Sequence, residues 1–281
     1  MALRGLPGGY EERERGRVRL VARSDALAAL VAAGALDGKP ATALGRVVAA
    51  VGGGRAKASC IEVPGVASRL LAKRITRGGL LAPIVPDVFA FDRGYAELLV
   101  TETLRAQGVR VPALVAVRFT AVHPWIARGA IELFVEWRDG ASDLVAWSAR
   151  STTRTERTRG LRNIGSELAS MHAAGVVHED LNARNVLVDE SGQAWLVDLG
   201  ASRVAQATPS GRIANLARLL RSAAKTDLLA KSLTTTDLVR VARGYANAEW
   251  KKVWNEVTPV FLANLARHAW AWRIFGKGKK A

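Results

Sequence analysis

The stretch from His178 to Gly200 contains residues of the types and spacing that phosphoryl transfer requires. It reads HEDLNARN, then a strand-like segment that ends at Asp198, then a glycine turn. Asp180 and Asn185 are separated by the interval found in the H-R-D-x-x-x-x-N loop of kinases, and Asp198 stands where the D-F-G aspartate would be. The spacing predicts that Asp180 accepts or orients the proton of an acceptor hydroxyl. It also predicts that Asn185 and Asp198 hold Mg²⁺, a hard cation that prefers oxygen ligands.

Two further side chains of this loop have predicted roles. Asn182 is predicted to help place the acceptor, and His178 is predicted to support the loop rather than to perform chemistry. Each residue taken alone is a weak signal. Their combination, in this order and between two strand-like segments, indicates a catalytic loop.

A glycine turn in the N-terminal half is expected to meet the phosphates of ATP. Gly52, Gly53 and Gly54 lie between two strand-like runs, RVVAAV and KASCIEV. Backbone N–H groups in such a turn can surround phosphate oxygens. A plain hairpin turn would have the same sequence, so this alternative stays open.

The same half contains a candidate nucleotide clamp. Lys73 lies in a third strand-like run, as the phosphate-pairing lysine does in V-A-I-K. Glu97 is its predicted ion-pair partner, and Glu102 is a second candidate. An exposed basic strand is the alternative, because the next residue is also basic. Glu136 and Trp137 end the run IELFVEW, and their backbone groups are predicted to contact the adenine.

The elements that must position these residues change in character near residue 138. Strand-like segments precede it and helix-like segments follow it. The sequence therefore predicts an α+β fold, bilobal and protein-kinase-like, with a small antiparallel-sheet N-lobe and a mainly helical C-lobe that share a cleft. The predicted parts are a charged leader with a short helix (1–44), the N-lobe (45–137) and the C-lobe (138–281), which ends in a basic, Trp-containing helix.

Composition indicates the compartment and the kind of partner. Lys and Arg number 41 against 25 Asp and Glu, a formal net charge of +16. Such a charge favours polyanionic partners such as nucleic acid, an anionic membrane or a phosphorylated glycolipid, although compositional drift toward arginine is an alternative. The single cysteine, Cys60, allows no intramolecular disulfide. No signal peptide or long apolar run is found, so we expect a cytoplasmic protein.

The C-terminal helix combines aromatic and basic residues. Trp270 and Trp272 precede Arg273 and a KGKK tail. Tryptophan beside basic residues is typical of a helix that lies at a lipid interface. Packing of the tryptophans in the core is the alternative. No nucleic-acid partner is expected, because the sequence has no stacked-aromatic recognition motif, and the sequence predicts no oligomeric state.

Three longer segments resemble the lipopolysaccharide kinase (Kdo/heptose) family, and within it the Kdo kinases. They are RITRGGLLAPIVPDVFAFDRGYAELLVTETLRAQGVRVPALVAVR, VVHEDLNARNVLVDESGQAWLVDLGASR and NLARLLRSAAK, and the resemblance covers residues 45–230. It implies ATP- and Mg²⁺-dependent phosphorylation of a 3-deoxy-D-manno-octulosonic acid (Kdo) hydroxyl on a lipid A precursor, by a peripheral protein at the cytoplasmic face of the inner membrane. It also implies that Asp180 is catalytic and that Asp198 binds the metal.

The sequence departs from the family pattern at two places, and other functions stay open. It has Asp198-Leu199-Gly200 where the family often has D-F-D, and Glu179 where a small or neutral residue is usual. A heptose kinase of the same pathway would have the same motifs. So would another kinase-fold phosphotransferase, acting on a protein or a small molecule. A non-catalytic pseudokinase that binds a partner is the alternative outside the enzymes.

Overall fold

The computed structural model describes residues 5–51, 58–76, 87–150, 153–200, 202–204, 207–226 and 228–275, with the backbone alone for 203, 230 and 267–275. Gly52, Gly53 and Gly54 lie outside the described residues, as does the KGKK tail. The side chains of Trp270 and Trp272 are outside them as well.

The chain divides into two compact units. One, here called the sheet unit, consists of Met1–Glu102 and Pro112–Arg138. The other, here called the helical unit, consists of Thr103–Val111 and Asp139–Ala281.

The elements of the sheet unit are, in chain order, β1 (Tyr10–Arg15), β2 (Val18–Arg23), α1 (Ser24–Ala32), β3 (Arg46–Val51), β4 (Ala58–Glu62), β5 (Leu70–Arg74), β6 (Phe89–Ala90), α2 (Asp92–Ala106), β7 (Leu114–Ala121) and β8 (Arg128–Glu136). The described strands form one antiparallel sheet in the order β1-β2-β7-β8-β5-β4-β3, with β6 paired to β8. A short 3-10 helix, Ala41–Ala43, precedes β3.

The sheet has a buried cluster on each face because side chains alternate along a strand. Leu20 of β2 belongs to the same buried cluster as Leu30 of α1. The next residue, Val21, belongs to the other cluster, with Leu98 of α2. The two helices therefore cover opposite faces, and α2 holds the predicted partner of Lys73 against the sheet.

The elements of the helical unit are, in chain order, β9 (Ser142–Asp143), α3 (Leu144–Ser148), α4 (Arg154–Ala173), β10 (Val176–Val177), β11 (Val186–Val188), β12 (Ala194–Leu196), β13 (Arg203–Val204), α5 (Pro209–Lys225), α6 (Leu228–Lys231), α7 (Thr235–Ala246) and α8 (Trp250–Phe275). The short strands pair as β12-β11-β9 and β10-β13. None of the helices in the described part of the chain is long and apolar enough to span a membrane.

Helices α4 and α7 pack with their backbones in close approach. A Cβ atom placed on Gly165 would lie 2.1 Å from the carbonyl oxygen of Val241, and one on Gly244 would lie 2.1 Å from that of Arg162. Each position therefore requires glycine, because a side chain would push the two helices apart. This contact fixes the core of the unit that carries the HEDLNARN loop.

The structure differs from the sequence-based expectation in the charged leader. Residues 10–23, expected to be a loose leader, form β1 and β2 of the sheet. The charged sequence YEERER suits an edge strand, which leaves one side to solvent. Helix α7 ends at Ala246, where Asn247 adopts a positive φ of 46°.

Candidate active site

The HEDLNARN loop follows β10 and is closed by its own hydrogen bonds. The N–H of Leu181 donates to the carbonyl of His178 over 3.1 Å, and the N–H of Asn185 donates to the carbonyl of Asn182 over 3.0 Å. The Asn185 side chain donates through Nδ2 to the carbonyl of Asp180 over 2.9 Å. The loop is therefore fixed at both ends around Asp180, whose side chain is exposed.

Asn182 uses both ends of its amide within the loop. Its Nδ2 donates to the carbonyl of Asp180 over 3.0 Å, and its Oδ1 accepts from the N–H of Arg184 over 2.9 Å. This is the local pattern by which asparagine stabilises a turn. In this conformation Asn182 acts on the shape of the loop, whereas the sequence predicted that it helps place the acceptor.

The two predicted metal ligands lie on adjacent, hydrogen-bonded segments. The N–H of Val197 donates to the carbonyl of Asn185 over 3.0 Å, which brings the start of the Asp198 turn beside the end of the loop. Because Nδ2 of Asn185 is used by Asp180, its Oδ1 is the atom that can bind a cation. Asp198 is exposed and adds a carboxylate, so both residues offer the oxygen donors that Mg²⁺ prefers.

The backbone of Asp198 is strained. Its φ is 63°, a left-handed conformation that residues other than glycine adopt at a cost. Such conformations concentrate at functional sites, where the surrounding structure holds them. The next residue, Leu199, helps to stabilise this conformation, because its side chain is buried.

His178 links the loop to the strand that precedes Asp198. Its ring is fully buried, and Nε2 donates to the carbonyl of Val197 over 3.0 Å. The ring therefore ties the segment that bears Asp180 to the segment that bears Asp198. This geometry agrees with a supporting function for His178.

Asn215, in α5, holds the backbone of His178 from the other side. Its Nδ2 donates to the carbonyl of His178 over 2.6 Å, and its Oδ1 accepts from the N–H of the same residue over 3.3 Å. These two bonds fix the orientation of the amide, because a carbonyl only accepts and an N–H only donates. Asn215 is itself buried, so it acts as a rigid clamp on the start of the loop.

Two more side chains extend this clamp to α4 and α7. Oδ1 of Asn215 also lies 3.0 Å from Nε2 of His172, so this ring nitrogen carries the hydrogen. Nδ1 of His172 then accepts from the hydroxyl of Tyr245 over 2.8 Å. Burial lowers the pKa of His172, and the nearby Arg212 lowers it further, against the opposing effect of the Asn215 bond. The imidazole therefore stays neutral to a lower pH than an ordinary histidine does.

The sequence did not identify a function for Asn215, His172 or Tyr245. Asn215 is the first residue of NLARLLRSAAK, one of the segments that resemble the family. That resemblance was the one feature of the sequence that pointed to Asn215. Nothing in the local sequence marks the other two, since they reach the loop from separate helices.

Lys73 and Glu97 form an ion pair within the sheet unit. Nζ of Lys73, on β5, lies 3.4 Å from Oε1 of Glu97, on α2. Glu97 is buried and Lys73 is partly buried, so the pair is shielded from solvent. Glu102, the other candidate partner, instead accepts a hydrogen bond from the hydroxyl of Tyr10 over 3.0 Å. The ion pair between Lys73 and Glu97 is therefore present in the structure.

Glu136 and Trp137 use their N–H groups inside the sheet unit. The N–H of Glu136 donates to the carbonyl of Ala113, and the N–H of Trp137 donates to the carbonyl of Arg69, both over 2.8 Å. This removes both groups as donors to an adenine. The phosphate-binding turn predicted at Gly52, Gly53 and Gly54 falls outside the described residues.

Comparisons with known proteins identify the family. A model of the lipopolysaccharide kinase (Kdo/WaaP) family matches residues 57–245. The curated relatives include proteins that carry the name 3-deoxy-D-manno-octulosonic acid kinase. The one from Vibrio cholerae is 35% identical over 151 residues, which are 52% of this chain and 61% of the relative. Those from Vibrio vulnificus and Photobacterium profundum are 32% and 31% identical, over 60% and 62% of this chain and 70% and 73% of their own length.

The matched range contains the candidate site residues of each unit. It includes Lys73 and Glu97 as well as the loop from Asp180 to Asn185 and the turn at Asp198. The α+β, protein-kinase-like fold predicted from the sequence is confirmed, with an antiparallel-sheet lobe and a mainly helical lobe. The chain belongs to the lipopolysaccharide kinase (Kdo/WaaP) family.

Proposed function

We propose that this chain transfers the γ-phosphate of ATP to a hydroxyl of a Kdo residue on a lipid A precursor. One observation carries the proposal: an exposed aspartate, Asp180, stands on a loop that its own backbone and a buried clamp hold in one conformation. The relatives named as Kdo kinases supply the acceptor class.

Asp180 receives or orients the proton of the acceptor hydroxyl. As the new O–P bond forms and the bond from the γ-phosphorus to the bridging oxygen of ATP breaks, that proton leaves the hydroxyl for the carboxylate. Phosphoryl transfer depends mainly on positioning and on electrostatic stabilisation. The hydrogen bonds that Asn182 and Asn185 make to the carbonyl of Asp180 therefore favour the reaction by fixing the backbone of the base.

Asn185 and Asp198 are the residues that would hold Mg²⁺. Bound there, the cation would neutralise negative charge on the phosphate oxygens. The chain prepares the site in two ways: Asn185 is oriented by its bond to the loop, and Asp198 is held in a strained turn.

Lys73 and Glu97 are assigned to the nucleotide. The carboxylate of Glu97 orients the ammonium group of Lys73, which pairs with the phosphates of ATP. Gly52, Gly53 and Gly54 are proposed to surround the same phosphates with backbone N–H groups. The segment at Glu136 is proposed to meet the adenine, by groups other than the two N–H groups used in the sheet.

The acceptor is an anionic glycolipid, which suits a chain with a net charge of +16. We propose that the protein works at the cytoplasmic face of the inner membrane as a peripheral protein. A heptose on the same glycolipid core is the second acceptor to test, because the same catalytic loop would serve it.

The test is transfer of labelled γ-phosphate from ATP, with Mg²⁺, to a Kdo-bearing lipid A precursor. We expect label on the glycolipid with the wild-type chain. The variant Asp180→Ala should lose at least about 100-fold in rate, the typical size of a general-base contribution. It should fold normally because the side chain is exposed.

The matched control is Glu190→Gln, which removes an exposed carboxylate from the turn between β11 and β12 in the same unit. It should transfer phosphate at the wild-type rate. Label that appears on a heptosylated core but not on the Kdo-bearing precursor would reassign the acceptor. Wild-type turnover by Asp180→Ala would refute the catalytic assignment.

A further inference from the structure

The tip of the hairpin between β7 and β8 exposes a cluster of apolar side chains. All residues from Val122 to Arg128 are exposed, whereas Ala121 and Gly129 at the base of the tip are buried. Trp125 is 88% exposed, and Val122 and Ile126 are 48% and 46% exposed. After Trp125, the most exposed large apolar side chain of the described residues is that of Leu262, which is 55% exposed. Trp125 therefore presents almost its entire ring to the surroundings.

The tip is an ordered turn, so this exposure belongs to a defined conformation. The N–H of Val122 donates to the carbonyl of Arg128 over 3.0 Å, and the N–H of Arg128 donates to that of Ile126 over 2.7 Å. At the base, a Cβ on Gly129 would lie 1.9 Å from the carbonyl oxygen of Thr120. The close pairing of the two strands therefore requires glycine and holds the tip in place.

Arginines surround the base of this tip. Arg17 lies in the turn between β1 and β2, and its Nη1 donates a hydrogen bond to the carbonyl of Val122 over 3.5 Å. Arg128 ends the tip, and Arg93 lies over the ring of Phe89, 4.8 Å from its centroid, on the strand paired with Gly129. In the described part of the chain none of the three arginines forms an ion pair with a carboxylate.

An acidic residue lies beside Arg93 in the sequence. Asp92, the first residue of α2, is exposed and follows Phe91, whose N–H donates to the carbonyl of Ala127 in the tip. Arg17, Arg93 and Arg128 are all exposed, so they add positive charge at the rim of the tip. Exposed arginines that lack a carboxylate partner are available to anionic groups outside the chain.

A lipid bilayer fits this combination better than a protein partner does. Tryptophan is enriched at membrane–water interfaces, where its apolar ring and polar N–H meet both environments. Arginines around it would meet anionic headgroups. A stable protein interface buries about 800 Å² per partner, which is more surface than one narrow hairpin tip offers.

We propose that the β7–β8 tip inserts Trp125, Val122 and Ile126 into the headgroup region of an anionic bilayer, with Arg17, Arg93 and Arg128 on lipid phosphates. In naming a membrane surface the inference rests on the proposed function. Its test needs neither ATP nor acceptor, so the two can fail separately.

The test is co-sedimentation with vesicles made from an equimolar mixture of phosphatidylethanolamine and phosphatidylglycerol, compared with vesicles of phosphatidylcholine alone. We expect the wild-type chain to prefer the anionic vesicles. Trp125→Ala should lower the partition coefficient about tenfold, as expected for the loss of a large buried apolar ring. The double variant Arg17→Gln/Arg128→Gln should also lose about tenfold on anionic vesicles and little on phosphatidylcholine.

Three matched controls separate the tip from the rest of the chain. Leu99→Ala removes an exposed apolar side chain of α2, and Arg13→Gln/Arg162→Gln removes two exposed charges elsewhere. Both should bind as the wild type does. Trp270→Ala/Trp272→Ala tests the C-terminal helix, and should retain binding.

Three results would overturn the proposal. The first is recovery of the wild-type chain wholly in the supernatant with anionic vesicles. The second is binding of Trp125→Ala equal to that of the wild type. The third is loss of binding in Trp270→Ala/Trp272→Ala alone. Phosphate transfer to the acceptor dispersed in detergent stays a separate measurement. Its presence without vesicle binding would reject the membrane-binding tip and leave the kinase intact.

Discussion

Replacing Asn215 by alanine tests whether the buried clamp holds the catalytic loop. The side chain makes three hydrogen bonds in the described structure: two to the backbone of His178, at 2.6 and 3.3 Å, and one to the ring of His172, at 3.0 Å. Asn215→Ala leaves the N–H and the carbonyl of His178 and the ring N–H of His172 without this partner. It does not change Asp180 itself.

The expected loss of stability follows from the number of bonds and from burial. A typical hydrogen bond contributes about 1 kcal/mol, and a buried group left without its partner costs more. Three such bonds give a fall of about 3 to 4 kcal/mol in the free energy of unfolding. Since domains are stable by about 5–15 kcal/mol, Asn215→Ala should still fold.

The loss should also reach catalysis, because the clamp fixes the backbone two residues before Asp180. We expect the kcat of Asn215→Ala for phosphate transfer to fall about tenfold or more, with the KM for ATP changed little, as for a positioning defect. The readout is labelled phosphate transfer measured well below the melting temperature of the variant, beside its urea denaturation curve.

Asn163→Ala is the matched control for this experiment. Asn163, on α4, donates one hydrogen bond to the carbonyl of Gly192 over 2.7 Å and is partly buried. Its loss should cost about 1 kcal/mol and leave kcat unchanged. If Asn215→Ala were no less stable than Asn163→Ala, or kept full kcat, the reasoning about the clamp would be refuted.

Two other predictions concern stability. Arg118 is 2% exposed and pairs with Glu132 at 2.6 Å, so Glu132→Gln leaves a buried guanidinium without its counter-charge and should lower the free energy of unfolding by about 3 kcal/mol. Urea denaturation measures this, with the exposed pair variant Glu11→Gln as the control. Burial lowers the pKa of His172. The unfolded chain therefore takes up a proton as pH falls through about 6.5, whereas the native ring takes one up only at lower pH. Between these two pKa values stability falls with falling pH by up to about 1.4 kcal/mol per pH unit.

The pH prediction is checked by melting temperatures above and below the ordinary pKa of histidine. His172→Gln removes the titrating group. Its stability should therefore fall less steeply as the pH is lowered, although it is less stable than the wild type at neutral pH. If the melting temperature fell equally steeply with pH in the wild type and in His172→Gln, the assignment of this loss of stability to His172 would be contradicted. For the buried pair, a loss from Glu132→Gln no larger than that from Glu11→Gln would show that Arg118 does not depend on Glu132.

The sequence alone was sufficient for the features that depend on local spacing. β3 has the predicted bounds, Arg46–Val51, and β4, β5 and β8 differ from prediction by one to three residues at their ends. Alternating or continuous apolar residues and glycine turns determine such segments. The HEDLNARN loop was equally visible, because its residues and its internal hydrogen bonds lie within eight positions of sequence.

Strand pairing could not be predicted from the sequence where a strand has few apolar residues. Strand β1 has the sequence YEERER, and only its pairing with β2 shows that it belongs to the sheet. The pairing of Lys73 with Glu97 was also left to the fold, because the sequence does not say which face of α2 meets β5.

The clamp on the catalytic loop was decided by tertiary structure alone. His178 meets Asn215 across 37 residues of sequence, and His172 meets Tyr245 across 73. Periodicity and spacing report on neighbours within an element, and they do not say which helices will pack together. The sequence therefore determined which residues can perform phosphoryl transfer. The packing of α4, α5 and α7 determined how the loop that carries Asp180 is held, because buried polar groups must find their partners across the fold.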